Sequence, residues 1–499
     1  MMLLQKLFPR SGEKPYLLEV RASGWMIMTT VAVAVFTDIF LYGVIVPIVP
    51  NVLVDRIGVP QESVQRNISI ALLAYAAGLL AASPVFGYLA DLYQNRRLFM
   101  MVGLLALLGS TVILCLARVL WLFIFGRLVQ GMSAAVVWTV GLALITDSFS
   151  EENIGKLMGV VSSSMSLGVF LGPLLGGVVY DRAGYYAVFG ILFGLICVDI
   201  LLRVFMLERK ELEKWKHDES EGERDIGLFR DNAVAISTFN NSSESSTTTS
   251  ARNVSERNRR VPLGLKLLKS GRMVNGLYMG VVIAWILSAL ESILPLRVET
   301  IFHWNTLGSG LIFLPIALTS LLSPLIGYWI DKHGPRWPLA IGLVLACPFL
   351  VLLRLPENEA IGQIVLLFAL LTLVGLASCM LLPSSMAEIS TCVAAAEQKK
   401  PGIFGKGGAY GQAFGLFNLA YSAGSVFGPL EAGFVSEADG WGTATWTLGL
   451  ISFVSAIPAI LFTGGFLFKK GASIAIDAGE GSERTQAPTE EAVTVVVAG

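Results

Sequence analysis

Long apolar runs recur along almost the whole chain, and the short stretches between them hold most of the charged residues. A run of about 20 apolar residues is long enough to cross a bilayer as a helix. Backbone polar groups in hydrocarbon must be satisfied within their own segment, so each run is predicted to be helical. Charged residues make up only 15% of the chain, whereas a soluble domain carries about a quarter. The pattern predicts an all-α membrane protein.

Twelve transmembrane helices are predicted, in two sets of six around a polar middle segment. The spans lie near 24–50, 69–90, 98–117, 119–146, 154–180 and 186–207, and then near 273–299, 306–330, 337–355, 360–390, 409–436 and 441–468. The corresponding regions are an N-terminus (1–23), a six-helix bundle (24–207), a linker (208–272), a second bundle (273–470) and a tail (471–499). The linker contains NNSSESSTTTS and lacks apolar periodicity, so it and the tail are predicted to be disordered.

Lysine and arginine are distributed unequally between the two sides that these spans define. The N-terminus, the linker and the Arg96–Arg97 pair lie on the richer side, together with Lys469 and Lys470. Positively charged loops stay in the cytosol, so both termini and the linker are predicted to be cytosolic. The expected location is the plasma membrane, with a vacuolar or vesicular membrane as the alternative.

The two sets of spans carry matching landmarks in the same order. Span two ends in GYLAD (87–91), and span eight ends in GYWID (327–331). Span five contains Gly168-x-x-x-Gly172-Pro173, and span eleven contains Gly424-x-x-x-Gly428-Pro429. Corresponding motifs in both halves are what a duplicated bundle predicts.

Three motifs resemble those of the major facilitator superfamily, and within it the twelve-span drug:proton antiporters. They are GYLADLYQNRR (87–97), GRLVQG (126–131) and Gly168-x-x-x-Gly172-Pro173-x-x-Gly176-Gly177. The resemblance implies two pseudo-symmetric six-helix bundles and alternating access. It also implies a gate between the halves at Asp91 and Arg96, with Asp331 and Arg336 as the second copy. Gln94 and Asn95 depart from the family pattern, where glycine and arginine are usual.

Span four contains an arginine within apolar sequence. An unpaired cation there is costly, so Arg127 must face protein or water and find a partner. In the family such an arginine is linked to proton coupling; a structural role, bonding to neighbouring carbonyls, is the alternative. The glycines of span five allow close helix packing and Pro173 weakens the helix, so Gly168, Gly172, Pro173, Gly428 and Pro429 are predicted to form hinges.

Two intramembrane carboxylates are the candidate substrate and proton sites. Asp38 lies about fourteen residues into span one, roughly 20 Å at 1.5 Å per residue, and Tyr42 follows on the same helix face. A carboxylate at that depth is costly unless it is protonated, paired or hydrated. Glu291 lies in span seven, the equivalent helix of the second half, although Arg297 could simply pair with it. Two acids on opposing walls suit a cationic substrate exchanged for protons.

The surroundings of these acids resemble those of vesicular amine transporters. Asp38-x8-Pro47-x-x-Pro50 and the Leu-Glu-x-x-Leu-Pro run at 290–295 carry the resemblance, which implies acids that recognise an amine. Those transporters have a lysine where Tyr75 aligns and acids where Ser378 and Asn418 align. The candidate substrate site therefore comprises Asp38, Tyr42, Glu291, Asn418 and Trp138, with Asp38, Arg127 and Glu291 coupling protons. Aromatic side chains such as Trp138 could stack on an organic cation.

The leading interpretation is a proton-coupled antiporter that exports organic cations, amines or lipophilic drugs. A facilitator or symporter of a neutral metabolite and a non-transporting receptor with a transporter fold are the alternatives. No nucleotide-binding loop, catalytic triad or metal-ligand cluster occurs in the sequence, so an enzyme and direct use of ATP are disfavoured. We expect no cofactor, no metal and no nucleic acid, and a monomer whose partners are a small cation, protons and the bilayer.

Overall fold

The computed structural model describes residues 17–93, 95–213, 215, 267–304, 306–404 and 408–466. Within these ranges the long elements are all helices and no strand occurs. Residues 209–213, at the start of the predicted linker, are helical. Residue 214, residues 216–266, the tail and residues 1–16 lie outside the described residues, so the disorder predicted for the linker and the tail stays a prediction there.

Twelve long helical segments follow one another in two sets of six. The first set is α1 (Gly24–Ile45), α2 (Val64–Tyr93), α3 (Arg96–Leu116), α4 (Leu120–Ser148), α5 (Ile154–Ala183) and α6 (Tyr185–Phe205). The second set is α7 (Gly271–Phe302), α8 (Thr306–Leu311, Leu314–Ser320 and Ser323–His333), α9 (Arg336–Leu352), α10 (Ile361–Lys399), α11 (Tyr410–Asp439) and α12 (Trp441–Phe462). Short turns of helix at Leu18–Arg21, Val49–Asn51, Val52–Arg56, Gln61–Ser63 and Glu151–Asn153 flank them.

Membrane-spanning character follows from length and apolar composition. Nine helices in the described part of the chain are long and apolar enough to cross a membrane, and the two bent segments of α8 together make a tenth. The remaining two are α9, which has 17 residues, and α11, which is less apolar along its 30 residues. The predicted all-α membrane fold is therefore confirmed.

Glycine-mediated packing within each half repeats the sequence symmetry. A Cβ on Gly172 of α5 would lie 3.0 Å from the Phe40 carbonyl of α1, and a Cβ on Gly428 of α11 would lie 2.4 Å from the Trp285 carbonyl of α7. Only glycine allows these backbones to approach so closely. The span-five motif and its copy in span eleven thus hold α1 against α5 and α7 against α11.

The two halves meet tightly at the end of the molecule where α2 turns into α3, which we call the α2–α3 end. A Cβ on Gly87 of α2 would lie 2.5 Å from the Gly411 carbonyl of α11. A Cβ on Gly327 of α8 would lie 2.2 Å from the Gly155 carbonyl of α5. These pairs of helices close that end, so any cavity between the halves lies deeper in the molecule.

Irregular turns interrupt two of the helices beside the centre of the molecule. Residues Val137–Gly141 of α4 form a π-helical turn, a feature often found at functional sites. The last two segments of α8 meet at an angle of 44°. By contrast, α5 and α11 run as continuous helices through Pro173 and Pro429, so the packing role of these motifs is visible while their hinge role stays a prediction.

Candidate functional site

Asp91, the acid of the GYLAD motif, joins the two halves at the α2–α3 end. It accepts hydrogen bonds from the backbone N–H groups of Gly411 (2.9 Å) and Gln412 (2.8 Å), at the start of α11. The N-terminus of a helix favours an anion because its first N–H groups lack partners within the helix. Arg96 pairs with Asp91 at 2.8 Å and with Asp147 of α4 at 2.9 Å. The buried pair of Asp91 and Arg96, extended by the partly buried Asp147, therefore fixes this carboxylate on α11.

Asp331, the acid of the GYWID motif, makes the equivalent contact in the other direction. Its carboxylate accepts hydrogen bonds from the backbone N–H groups of Gly155 (2.5 Å) and Lys156 (2.9 Å), at the start of α5. Arg336, predicted as its partner in the gate, instead donates to the carbonyls of Thr463 and Gly465 beyond the end of α12. Within the described ranges, no arginine pairs with Asp331, so the second contact differs from the first in this respect.

Asp38 is fully buried inside the first half. The indole N–H of Trp138 donates to one carboxylate oxygen at 3.3 Å, while the other oxygen has no hydrogen-bond partner within the described residues. Trp138 belongs to the π-helical turn of α4, where the wider turn alters the direction in which side chains leave the helix. The structure therefore brings two predicted site residues, Asp38 and Trp138, into contact, and the local irregularity of α4 positions the second.

Arg127 lies in the same half, beside a pair of tyrosine rings that contact each other. Its guanidinium lies 5.1 Å from the ring centre of Tyr42 and 5.4 Å from that of Tyr75, a separation at which cation–π attraction operates. The two rings are 4.7 Å apart. Arg127 also donates to the side chain of Gln130 at 2.8 Å. Its Nε and Nη2 groups have no partner among the described residues, and the side chain is buried.

Glu291 lines a cavity between the two halves. Its wall is built from α5, α7, α8 and α10, and Glu291 is the one carboxylate among the described residues that line it. The side chain is solvent-accessible and makes no hydrogen bond or ion pair with any described residue. Arg297, the alternative partner, instead donates to the Pro356 carbonyl at 3.2 Å. Among the described residues, Glu291 is thus an unpaired carboxylate that faces a cavity.

The other surfaces of the Glu291 cavity are apolar or weakly polar. Its described lining residues include Ser162, Ser166, Ser320, Ser378 and Cys379, with Met165, Phe170, Leu287, Leu290, Phe313 and Leu382 among the apolar ones. Ser378 therefore stands in the cavity wall opposite Glu291, at the position where the resemblance suggested an acid. Such a mixture of apolar surface with one charge is typical of small-molecule sites.

Asn418 lies away from this cavity. It is buried between α11 and α2, where its amide donates to the Ser83 hydroxyl at 2.6 Å. Two further acids of the second half are also occupied. Glu388 pairs with Arg272 at 2.8 Å, and Glu431 accepts from Thr447 at 2.6 Å. Among the described acids of the second half, Glu291 is therefore the one that lines the cavity.

One buried ion pair was missed by the sequence reasoning. Asp199 and Arg203 of α6 pair at 2.7 Å with both side chains fully buried, and Arg203 also donates to the Met100 carbonyl of α3. The signal was present in the sequence, because an acid and a base four residues apart share one helix face. Within the described residues, no group of three or more His, Cys, Asp and Glu side chains could hold a metal ion.

Two pseudo-symmetric six-helix bundles with a carboxylate-lined cavity between them define a polytopic membrane transporter. The sequence profile of the Major Facilitator Superfamily matches residues 31–322 and 306–481, and the chain belongs to this superfamily. It is 34% identical over 457 residues to an uncharacterized MFS-type transporter of Schizosaccharomyces pombe, covering 87% of this chain and 94% of that protein.

Two further proteins are similar, one over only part of this chain and the other over most of it at low sequence identity. A probable vesicular acetylcholine transporter-B of Danio rerio is 32% identical over 163 residues, which cover 32% of this chain and 33% of that protein. The crystal structure of the human organic anion transporter MFSD10 (TETRAN) matches with a TM-score of 0.61 at 19% identity, covering 87% of this chain and 99% of that one. At that identity the solved structure supports the fold alone.

Proposed function

We propose that this transporter is a proton-coupled antiporter that exports organic cations, amines or lipophilic drugs by alternating access. The observation that carries the proposal is the free carboxylate of Glu291 in the wall of the cavity between the halves. An unpaired acid inside a membrane protein marks a functional site by default. A substrate ammonium would supply the missing countercharge, and the apolar side chains around it would cover the body of the substrate.

Asp38 has the second role in this proposal. It is buried and is not among the described residues that line the Glu291 cavity. One of its oxygens has no hydrogen-bond partner in the part of the chain that the structure describes. A group in such a place can take up a proton without contacting the substrate, because a proton needs only a hydrogen-bonded path. Glu291 would thus bind cation or proton in turn, while Asp38 would carry the proton that drives the exchange.

Asp91 and Asp331, the two acids of the predicted gate, account for the conformational change in this proposal. Asp91 and Asp331 hold the α2–α3 end closed across the two halves, and the distribution of lysine and arginine predicts that this end faces the cytosol. Export requires a second conformation in which both contacts break and the cavity opens to the cytosol. The local similarity to a protein named as a vesicular acetylcholine transporter favours a cationic substrate, since acetylcholine is an organic cation.

Arg127 favours a second candidate, transport of a neutral metabolite. Its Nε and Nη2 groups are donors that have no acceptor among the described residues, and serine hydroxyls line the Glu291 cavity. Uncharged substrates rich in oxygen acceptors would suit such donors. This candidate predicts uptake that survives neutralisation of Glu291.

The experiment is flux into proteoliposomes with an imposed pH gradient. Radiolabelled lipophilic cations, primary amines and neutral polyols would be compared in wild type, Asp38→Asn and Glu291→Gln. Glu437→Gln, an exposed acid near the end of α11, is the matched control. Loss of gradient-driven cation uptake in both site variants, with the control unchanged, supports the proposal. Cation uptake that is indifferent to the gradient and to both substitutions overturns it, and uptake of polyols alone favours the second candidate.

A further inference from the structure

The break in α8 leaves one backbone carbonyl without a partner inside its own helix. In an uninterrupted α-helix the carbonyl of Ser320 would accept from the N–H of residue 324. Residue 324 is proline, which has no N–H. Here the helix ends at Ser320, and a new segment begins at Ser323. An unsatisfied carbonyl within a membrane costs several kcal/mol, so it needs a donor from elsewhere.

The donor comes from the opposite half of the protein. The hydroxyl of Ser163 on α5 donates to the Ser320 carbonyl at 2.6 Å. The same hydroxyl lies 3.1 Å from the Gly159 carbonyl of its own helix, so the bond across the halves is the shorter one. Both serine residues are buried. A cross-half bond therefore replaces the intrahelical bond that Pro324 removes.

The backbone of α5 is shaped to bring this donor into place. A Cβ on Gly159 would lie 2.3 Å from the Ser323 carbonyl and 2.8 Å from the Cα of Pro324. Glycine at 159 thus lets α5 approach the break, one turn before Ser163. On the other side, the thiol of Cys379 on α10 donates to the Thr319 carbonyl at 2.8 Å. The break is held from both sides by side chains of neighbouring helices.

The same break forms part of the wall that faces Glu291. Ser320, Ser323 and Cys379 line that cavity together with Ser162 and Ser166 of α5. Any movement that separates α5 from α8 must break the bond from Ser163 to Ser320 and release a carbonyl that α8 itself cannot satisfy. The bond therefore resists separation of the two halves beside the cavity.

We propose that Ser163 is a positioning residue of the transport cycle: its hydroxyl satisfies the carbonyl that Pro324 leaves free and so holds α5 and α8 together in this conformation. Loss of the hydroxyl shifts the protein toward conformations in which the halves are apart. The role concerns the membrane transporter as such and does not depend on whether the substrate is a cation. A failure of the antiport proposal would therefore leave it intact.

The test uses the reactivity of Cys379 as a reporter of the break. The full chain is prepared with the other four cysteines replaced by alanine, at Cys115, Cys197, Cys347 and Cys392, and the rate of reaction with N-ethylmaleimide is measured in proteoliposomes. Valine and threonine have nearly the same volume, but only threonine carries a hydroxyl. Ser163→Val therefore removes the donor, whereas Ser163→Thr keeps it. We expect Ser163→Val to raise the labelling rate about three- to tenfold, the effect of one net hydrogen bond, and Ser163→Thr to leave it unchanged.

A matched control and a double substitution separate this role from simple packing. Ser164→Val is the control, because Ser164 donates to the Val160 carbonyl of its own helix. Pro324→Ala restores the missing N–H, so Ser163→Val should have little effect in that background. Equal labelling of Ser163→Val and Ser163→Thr would overturn the proposal. So would an undiminished effect of Ser163→Val alongside Pro324→Ala. If the proline variant does not fold, the Val–Thr comparison still decides.

Discussion

Asp91 and Asp331 occupy equivalent places in the two halves, and each carboxylate accepts backbone N–H groups at the start of a helix in the other half. The two contacts differ in their support. Arg96 pairs with Asp91, whereas Arg336 donates to carbonyls beyond α12. Two related acids thus accept the same kind of helix-end N–H groups. Asp91 also forms an ion pair with Arg96, whereas no arginine among the described residues pairs with Asp331.

This difference predicts that the effects of substituting the acid and the arginine on stability are coupled for Asp91 and Arg96 but independent for Asp331 and Arg336. Asp91→Asn and Arg96→Gln should each lower the thermal unfolding midpoint, and the double variant should lose less than the sum because both remove one buried pair. Asp331→Asn and Arg336→Gln should be additive. The measurement is thermal unfolding of the purified protein in detergent for the two sets of variants. Additive losses for Asp91 and Arg96 would contradict the structure.

Close backbone contact between α1 and α5 gives a prediction with a control one residue away. A Cβ on Gly176 would lie 2.4 Å from the Val44 carbonyl, whereas a Cβ on Gly177 meets nothing within 4 Å. Gly176→Ala should destabilise the protein by about 1–3 kcal/mol through overpacking. Gly177→Ala should be neutral or slightly stabilising in a helix. Thermal unfolding midpoints check both, and equal effects would rule out the proposed packing of α5 on α1.

The hydrogen bond from Trp138 to Asp38 predicts a coupling defect. Trp138→Phe keeps an aromatic ring but removes the indole N–H, so it leaves both oxygens of Asp38 without a donor among the described residues. If Asp38 carries the driving proton, gradient-driven uptake should fall about three- to tenfold, as expected for one lost hydrogen bond. Substrate exchange at equal pH should change little. Trp121→Phe, at a position that is 69% exposed, is the control, and unchanged gradient-driven uptake in Trp138→Phe would argue against the role of Asp38.

Much of the fold could be predicted from the sequence because its signals are local. Apolar runs fix where helices cross the membrane, and the paired GYLAD and GYWID motifs at 87–91 and 327–331 mark the repeat. The intramembrane position of Asp38 and Glu291 also follows from distance along a helix. Each of these inferences needs only the spacing of residues within one segment.

Partners of the charged residues could not be predicted, because they depend on which helix faces meet. Glu388 pairs with Arg272, 116 residues away in sequence, and no local pattern indicates this. Trp138 contacts Asp38 through a π-helical turn that the regular helical period does not reveal. The pair of Asp199 and Arg203 is different, since its spacing of four residues in an apolar helix could have been noticed.

The position of Arg127 against the rings of two tyrosines predicts that lysine cannot replace it. Lysine keeps the charge but lacks the flat guanidinium that lies against the rings of Tyr42 and Tyr75 and donates to Gln130. Arg127→Lys should therefore lower the transport rate about tenfold or more, nearly as much as Arg127→Gln. The flux assay measures this, with folded yield checked by gel filtration. Full activity of the lysine variant would show that only the charge is needed.

The buried pair of Asp199 and Arg203 gives the sharpest prediction about stability. Removing one partner leaves an uncompensated charge buried in the protein, which costs about 3–5 kcal/mol. Asp199→Leu alone should therefore abolish most of the folded protein, and Arg203→Met alone should do the same. The double variant should recover a large part of the folded yield, because two apolar side chains can fill the site. It should not recover fully, since the Met100 carbonyl loses the donor that Arg203 provides.

Folded yield is measured by fluorescence-detected gel filtration of tagged protein, with Asp181→Leu on the exposed end of α5 as control. A double variant no better than either single one would show that the two residues act separately rather than as a pair.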